Sequence, residues 1–300
     1  ENTFNFYVYE TIGRIKYRMD AYEQVLRGTR GLFAASDNVT RHEFKAYIDT
    51  LKLQEKYPGI QGVGFSLIVP KHQKQQHIAE IRRQGFSAYT LRSETEQEFY
   101  SSIIYLEPFK DRNLRAFGYD MYSETVRRTS MQRARDLNQA AITGKVKLLQ
   151  ETDKNIQAGF LMYLPVYENN LPTDTLAERR SNIIAWVYEP FRMDDFMKGL
   201  IVSLLSEINV EIYDDKIPLD QTRMFDSDQV ANSCSIFKPQ MQRTERLEIN
   251  GHVWTMVFCS TPKLEAIADN HKAQIIAITG GFLSLLLTLI TWQLLTSRRR

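Results

Sequence analysis

Residues Ala273–Leu295 read AQIIAITGGFLSLLLTLITWQLL and contain no Asp, Glu, Lys or Arg. A helix of about 20 apolar residues spans the hydrocarbon core of a bilayer, which is roughly 30 Å thick. Three arginines, Arg298–Arg300, follow after two more residues, and basic residues beside a membrane helix favour the cytoplasmic side. The sequence therefore predicts a helix in the inner (plasma) membrane, with Arg298–Arg300 cytoplasmic and residues 1–272 periplasmic or extracellular. A buried core helix is the alternative, which the length disfavours.

The chain before this helix has the composition of an ordinary soluble globule. The whole sequence carries 38 Lys and Arg against 36 Asp and Glu, and the absence of a basic field argues against nucleic acid as a partner. The sequence begins at Glu1 rather than Met, so we expect an upstream signal or first membrane helix in the full protein. Cys234 and Cys259 leave both a disulfide and a pair of buried thiols open.

Apolar residues spaced three and four apart predict a long N-terminal stalk helix from about Asn5 to Ala35. The seam consists of Val8, Ile12, Ile15, Met19, Tyr22 and Leu26. Such a seam packs either against a second copy, as in a coiled coil, or against the helix's own domain. We expect this helix to contribute to a homodimer.

Helix and strand patterns alternate through the rest of the chain. The sequence predicts helices at 41–54, 71–84, 123–138 and 193–207, and strands at 60–69, 86–91, 102–105, 145–150, 159–167, 182–191, 209–214, 245–250 and 252–260. Thr40 and Glu43 have the spacing of a capping box before the first of these helices. Strands 145–150 and 159–167 are expected to be antiparallel neighbours.

The same patterns predict how the chain is divided. The predicted units are 1–56, stalk and supporting helices; 57–168, a membrane-distal subdomain; 169–181, a polar linker; 182–262, a smaller membrane-proximal subdomain; 263–297, juxtamembrane and transmembrane helix; and 298–300, a cytoplasmic stub. Helices interleaved with antiparallel strands indicate an α+β fold.

Several motifs follow one another in a fixed order along the central part of the chain. They are Leu26–Ser36 (LRGTRGLFAAS), Tyr57–Phe65 (YPGIQGVGF), Tyr105–Pro108 (YLEP), Arg115–Met121 (RAFGYDM), Arg133–Arg135 (RAR), Thr143–Val146 (TGKV) and Gly159–Tyr167 (GFLMYLPVY). Together they resemble the CHASE domain, the cyclase/histidine-kinase associated sensory extracellular domain, in its bacterial branch.

The resemblance implies a stalk helix followed by two tandem PAS-like subdomains with antiparallel sheets, with the ligand in the membrane-distal one. It also implies a homodimer and a cytoplasmic histidine kinase or diguanylate cyclase. Cytokinin receptors of this family have an acidic residue just before the segment matching Tyr105–Glu107, whereas residues 100–104 here contain no Asp or Glu. A neutral hydroxyl cannot replace a carboxylate that accepts hydrogen bonds from an adenine, so cytokinin is not the expected ligand.

The residues show no catalytic constellation and no metal-ligand spacing. His72 and His77 are five apart and point to different faces of one predicted helix, and we expect neither cofactor nor metal. A ligand site in a PAS-like cup is apolar with a few polar anchors, and the candidate residues are Tyr105, Phe117, Tyr119, Met121, Lys147, Phe160 and Tyr163. The apolar and aromatic candidates alternatively fill the core, and Lys147 alternatively faces solvent. Asp120 is expected to cap the helix that begins near Ser123.

These observations favour the sensing region of a membrane receptor. In this hypothesis an unidentified small molecule binds outside the membrane, and the signal passes through the membrane helix to a histidine kinase or diguanylate cyclase beyond Arg300. The alternative is a membrane-anchored periplasmic binding or scaffold protein without a signalling output. Whether the full-length protein is an enzyme depends on the region beyond Arg300.

Overall fold

The structure is a computed structural model that describes residues 1–151, 156–200, 207–228, 234 and 238–297, with backbone alone for 267–274 and for residue 295. It is an α+β structure with two antiparallel sheets. The helices are α1 (Asn2–Ala34), α2 (Arg41–Leu51), α3 (Leu53–Lys56), α4 (Lys74–Arg83), α5 (Thr125–Leu137), α6 (Leu176–Asn182), α7 (Met193–Met197) and α8 (Pro262–Ser297). The strands are β1 (Val63–Pro70), β2 (Phe99–Glu107), β3 (Ala141–Ile142), β4 (Gly159–Tyr167), β5 (Ile183–Arg192), β6 (Ile208–Asp214), β7 (Arg223–Asp226), β8 (Gln242–Ile249) and β9 (His252–Ser260). Short 3-10 helices span Lys71–Gln73, Asp111–Ala116, Met121–Ser123 and Asp220–Thr222.

The first sheet has five strands in the order β2-β1-β5-β4-β3. Its central strand is β5, in which Tyr188 pairs with Gly64 of β1 on one side and with Tyr163 of β4 on the other. The sequence predicts that this strand belongs to the second subdomain, and that assignment is wrong. The polar segment 169–181 connects two neighbouring strands of one sheet instead of leading to the other sheet.

The second sheet has the order β7-β6-β9-β8. The predicted hairpin is confirmed, because β8 pairs with β9 and the chain turns through Asn250 and Gly251, which both have positive φ. Cys259 of β9 forms a disulfide with Cys234, so the pair that the sequence left open is bonded.

α1 is the predicted stalk helix, and its seam lies against its own chain. Val8, Ile15, Met19, Tyr22 and Leu26 are buried, and α1 packs on β4 and β5 of the first sheet and on β8 of the second. The alternative in which the seam covers its own domain is therefore the one that the structure shows. The helix thus contacts both sheets.

Two predicted strands are absent. Residues 86–91 form no strand, and their aromatic side chains pack elsewhere, as described below. Residues 145–150 contribute only the isolated bridge between Val146 and Gly159, while β3 is the strand that pairs with β4. The helix predicted at 193–207 begins as α7 and gives way to a turn after Met197, and its positions 201–206 lie outside the described residues.

The capping box at the start of α2 is confirmed. The Glu43 amide donates to Oγ1 of Thr40 at 3.2 Å, and the Thr40 amide donates to Oε2 of Glu43 at 2.8 Å. These reciprocal bonds fix the first turn of α2, where Arg41 is the first helical residue.

A carboxylate joins the two sheets. Asp214, at the end of β6, accepts a hydrogen bond from the Lys145 amide at 2.6 Å and also pairs with Nε2 of His252 on β9. Nearby, the Ile142 amide of β3 donates to the Asn250 carbonyl at 3.3 Å. The segment that follows β3 is thereby attached to the second sheet.

α8 runs without interruption from the end of β9 into the apolar segment. Within it, Ile275–Leu294 is 20 residues long with a mean hydropathy of 2.1, and none of its most apolar part is buried. In the described part of the chain it is the one helix that is long and apolar enough to cross a membrane.

Candidate ligand-binding site

The first sheet has two faces that different elements cover. α1 and α2 cover one face, and α5 with the 3-10 helix Met121–Ser123 covers the other, which we call the α5 face. Side chains alternate along β4, as they do in any strand. Phe160 and Met162 therefore join the core under α1, and Leu161 and Tyr163 join the cluster on the α5 face.

Three of the predicted ligand residues meet on the α5 face. Tyr119, Met121 and Tyr163 belong to one buried cluster. The Tyr163 hydroxyl donates to Sδ of Met121 at 3.6 Å, a contact with a weak acceptor. The Tyr119 hydroxyl donates to Oε1 of Glu94 at 2.7 Å, and burial together with this bond raises the pKa of Tyr119 to about 12.

Two polar residues that the sequence analysis misses lie in the same place. Arg127 of α5 is 5% exposed, and Tyr188 of β5 is fully buried. The Arg127 guanidinium donates to the Lys147 carbonyl at 2.9 Å and to Glu124 at 3.3 Å, and it lies 5.7 Å from the centre of the Tyr119 ring. In the described part of the chain, its Nε and the Tyr188 hydroxyl have no hydrogen-bond partner.

These polar groups are close enough to act on one another. The rings of Tyr163 and Tyr188 are 6.1 Å apart, and the charge of Arg127 acts on the pKa of both. Burial nevertheless raises the pKa of both tyrosines, so their hydroxyls stay protonated and can donate. The Tyr188 ring lies against the backbone of Gly64, where a Cβ would come within 2.4 Å of it.

Buried donors beside aromatic rings suit a ligand that carries hydrogen-bond acceptors. Burying a donor without a partner costs free energy, about 1 to 3 kcal/mol per group in proteins. A small molecule that accepts from Arg127 and Tyr188 recovers this cost, and the surrounding aromatic rings supply apolar contact.

Asp120 has a structural role at the edge of this site. Its carboxylate accepts from the amides of Ser101 at 2.7 Å and Tyr122 at 3.1 Å and from the Ser93 hydroxyl at 2.7 Å. It caps the 3-10 helix Met121–Ser123. The helix predicted to begin near Ser123 is α5, and Glu124 caps it instead of Asp120. Burial raises the pKa of Asp120.

Tyr105 and Phe117 lie away from the α5 face and surround a different arginine. The Arg41 guanidinium is 4.9 Å from the Tyr105 ring centre and 5.4 Å from that of Phe117. The Phe86 and Phe109 rings complete an aromatic cage around it, at 4.4 and 5.8 Å. The sequence offers no sign that these two candidates separate from the other three.

The last two candidates lie elsewhere. Phe160 is fully buried and stacks on Phe191 with ring centres 4.6 Å apart, and it contacts Trp254 of the second sheet at 5.1 Å. It therefore fills the core between the sheets. Lys147 is exposed, which is the alternative that the sequence left open for it.

Metal binding has no support in the region that the structure describes. Among those residues, no three His, Cys, Asp or Glu side chains are grouped so that they could hold a metal ion.

The covered α5 face of the first sheet thus holds aromatic rings and, within the described residues, two buried donors without a hydrogen-bond partner. The sequence model of the CHASE domain matches residues 37–225, more than half of the chain, and the chain belongs to the CHASE family. A CHASE domain is an extracellular sensory domain of receptors. No curated protein sequence matches the chain.

Proposed function

We propose that this chain is the extracytoplasmic sensing region of a membrane receptor, built from two tandem PAS-like subdomains. The first sheet forms the membrane-distal subdomain and the second sheet the membrane-proximal one, with the division after β5. The order along the chain supports this assignment, because the second sheet leads directly into α8.

The ligand in this proposal is a small molecule on the α5 face of the first sheet. The support is the set of buried donors, Arg127 Nε and the Tyr188 hydroxyl, beside Tyr119, Met121 and Tyr163. The ligand accepts hydrogen bonds from this set and packs against the aromatic rings.

The observation that carries the proposal is the rigid connection between the second sheet and α8. One residue, Thr261, separates β9 from the helix, and its amide donates to the Glu207 carbonyl at 3.2 Å. Glu265 in the first turn of α8 accepts from the Ser260 hydroxyl at 2.5 Å and from the Gln240 amide at 2.8 Å. A shift of the second sheet is thereby transmitted to the apolar helix, which spans the membrane with Arg298–Arg300 in the cytoplasm.

Beyond Arg300 we place a histidine kinase or a diguanylate cyclase, and we place the receptor in a homodimer. Since the seam of α1 is buried, the dimer uses the opposite face, where Phe6 and Tyr17 are 60% and 78% exposed. Sedimentation of the chain in nanodiscs as a monomer only would contradict this dimer.

Two measurements test the proposal. A fluorescent protein fused after Arg300 is expected to fluoresce, and alkaline phosphatase at the same position is expected to be inactive, because the fusion point is cytoplasmic. Reading the gene past the codon for Arg300 is expected to reveal a kinase or cyclase. The opposite reporter pattern excludes the topology, and an immediate stop codon excludes the receptor in favour of an anchored binding protein.

A further inference from the structure

A cavity lies at the surface, outside the α5 face. It has a volume of about 490 Å³ and lies between residues 85–92 and residues 114–117. Phe86, Tyr89 and Phe117 line it, together with Arg92 and Arg115. This volume is within the range of roughly 300 to 1,000 Å³ that small-molecule sites occupy.

The two segments that form its walls are held together by backbone contacts. The Arg92 amide donates to the Gly118 carbonyl at 2.8 Å, and the Arg92 carbonyl accepts from the Asp120 amide at 2.8 Å. Gly118 has a φ of +81°, and a Cβ on it would lie 2.3 Å from the Thr90 carbonyl oxygen. Glycine thus allows the close approach that shapes the cavity.

The walls are aromatic, and their rings pack against each other. The ring centres of Phe86 and Phe117 are 5.0 Å apart, and those of Tyr89 and Phe117 are 4.9 Å apart, both in tilted geometry. These distances are typical of favourable aromatic pairs. A flat aromatic ligand finds matching surfaces here.

The charge around this cavity is positive. Its lining, within the described residues, includes two arginines and no carboxylate. Arg92 donates to the carbonyls of Arg115 and Phe117, and Arg115 donates to that of Glu151 at 3.2 Å, so neither guanidinium charge is neutralised by these bonds.

A third guanidinium lies behind the cavity wall. Phe86 and Phe117 belong both to the wall and to the cage around Arg41. Arg41 donates to the Ile104 carbonyl at 2.7 Å, while its buried Nη2 has no partner in the described part of the chain. Burial lowers the pKa of Arg41, and Tyr105 and then Glu107 act in the opposite direction; the Glu107 carboxylate accepts from the Phe109 amide at 2.9 Å.

We propose that this cavity binds a small aromatic carboxylate. The aromatic ring packs against Phe86, Tyr89 and Phe117, and the carboxylate pairs with Arg115 and Arg92. Guanidinium groups match the planar geometry of a carboxylate and form charge-assisted hydrogen bonds with it. The site is separate from the α5 face and does not depend on the function proposed for that face.

The first experiment compares an acid with its neutral counterpart. Binding of 4-fluorophenylacetate and 4-fluorophenylacetamide to the full chain in nanodiscs is measured by ¹⁹F NMR, with empty nanodiscs as the blank. The acid is expected to bind at least about ten-fold more tightly, since hydrogen bonds between a guanidinium and a carboxylate are stronger than those to a neutral amide. Equal affinities, or no binding of the acid, would overturn the proposal.

Variants then locate the bound acid. Arg115→Gln is expected to weaken its binding about ten-fold, whereas Arg112→Gln, in the same 3-10 helix but outside the cavity lining, leaves it unchanged. Ala88→Trp fills the cavity from an exposed position and abolishes binding, with an unchanged melting temperature showing that the chain is folded. Unaltered binding by Arg115→Gln and Ala88→Trp places the acid elsewhere and refutes the site.

Discussion

Glu189 places an ionisable carboxylate in an apolar interior. It lies in the central strand β5, is fully buried, and neither carboxylate oxygen has a hydrogen-bond partner in the described part of the chain. Burial raises the pKa of Tyr22 of α1, and the nearby Glu189 charge raises it further. Burial raises the pKa of Glu189 itself well above its usual value, because the charged form loses its hydration.

Because of this environment, we expect the ionisation of Glu189 to lower the free energy of unfolding as pH rises. Glu189→Gln removes that loss. The folded state holds the proton to a higher pH than the unfolded state, so the free energy of unfolding falls as pH rises above about 4.5, by about 1.4 kcal/mol for each unit until the folded pKa is reached. The variant is expected to match the wild type at pH 4 and to exceed it progressively at higher pH. Denaturant unfolding at several pH values checks this, and a difference that is constant with pH would contradict it.

Residue patterns located only part of the candidate ligand site. Tyr119, Met121 and Tyr163 come from motifs of the family resemblance, and the structure brings them together. Arg127 and Tyr188 were missed, because an arginine on a helix usually faces solvent and a tyrosine in an apolar strand usually packs in a core. What distinguishes them is the lack of a partner for a buried donor, which depends on three-dimensional packing.

At the scale of elements, the sequence predicts local secondary structure better than it predicts which strands pair with one another. The stalk helix, the capping box of α2 and the hairpin of β8 and β9 depend on residues close in sequence, and all three are confirmed. The position of β5 between β1 and β4 depends on pairing with distant strands. Hydrogen bonds to β1 and β4 place β5 inside the first sheet. The polar segment before β5 suggested a domain boundary, but it only connects β4 to β5 within that sheet.

Residues 86–91 show the same limit in a different way. Their aromatic content favours a strand, but no strand of either sheet pairs with them in the described structure. Phe86 and Tyr89 instead pack around Phe117 and Arg41. A high β propensity indicates that a side chain packs well on a half-buried surface. The aromatic cage around Arg41 provides such a surface outside either sheet.

The link between the sheets is testable through Asp214. Asp214→Asn removes the negative charge that accepts the Lys145 amide hydrogen bond and pairs with His252. Hydrogen bonds to charged groups contribute about 1.5 to 3 kcal/mol. We expect the Lys145 amide to exchange its hydrogen about ten-fold faster or more, as measured by hydrogen–deuterium exchange. Asp215→Asn is the matched control, since within the described chain the hydrogen bond that this carboxylate accepts comes from the adjacent Lys216 amide. Equal exchange in both variants would contradict the link.

At the scale of the whole molecule, α1 and α8 occupy opposite roles. α1 packs on both sheets and fixes their relation, because Arg243 of β8 donates to Asn5 at 2.9 Å and Tyr9 at 2.7 Å, while the C-terminal part of the helix lies on the first sheet. α8 instead continues from the end of β9 and contains the apolar segment Ile275–Leu294. In the proposed relay, a ligand that shifts the first sheet against α1 acts on α8 through the second sheet, provided that it binds the two arrangements with different affinity.

Insertions into the start of α8 test this path, because each residue of a helix turns it by about 100°. Four glycines inserted after Thr261 are expected to break the bonds of Glu265 to Ser260 and Gln240 and to abolish the ligand response of a kinase or cyclase fused after Arg300. One alanine inserted after Ala266 rotates the membrane segment and changes the basal activity, whereas seven alanines restore its phase to within about 20° and preserve the response. Autophosphorylation or cyclic di-GMP formation in membranes measures both. If the glycine insertion responds like the wild type, α8 does not carry the signal from the second sheet.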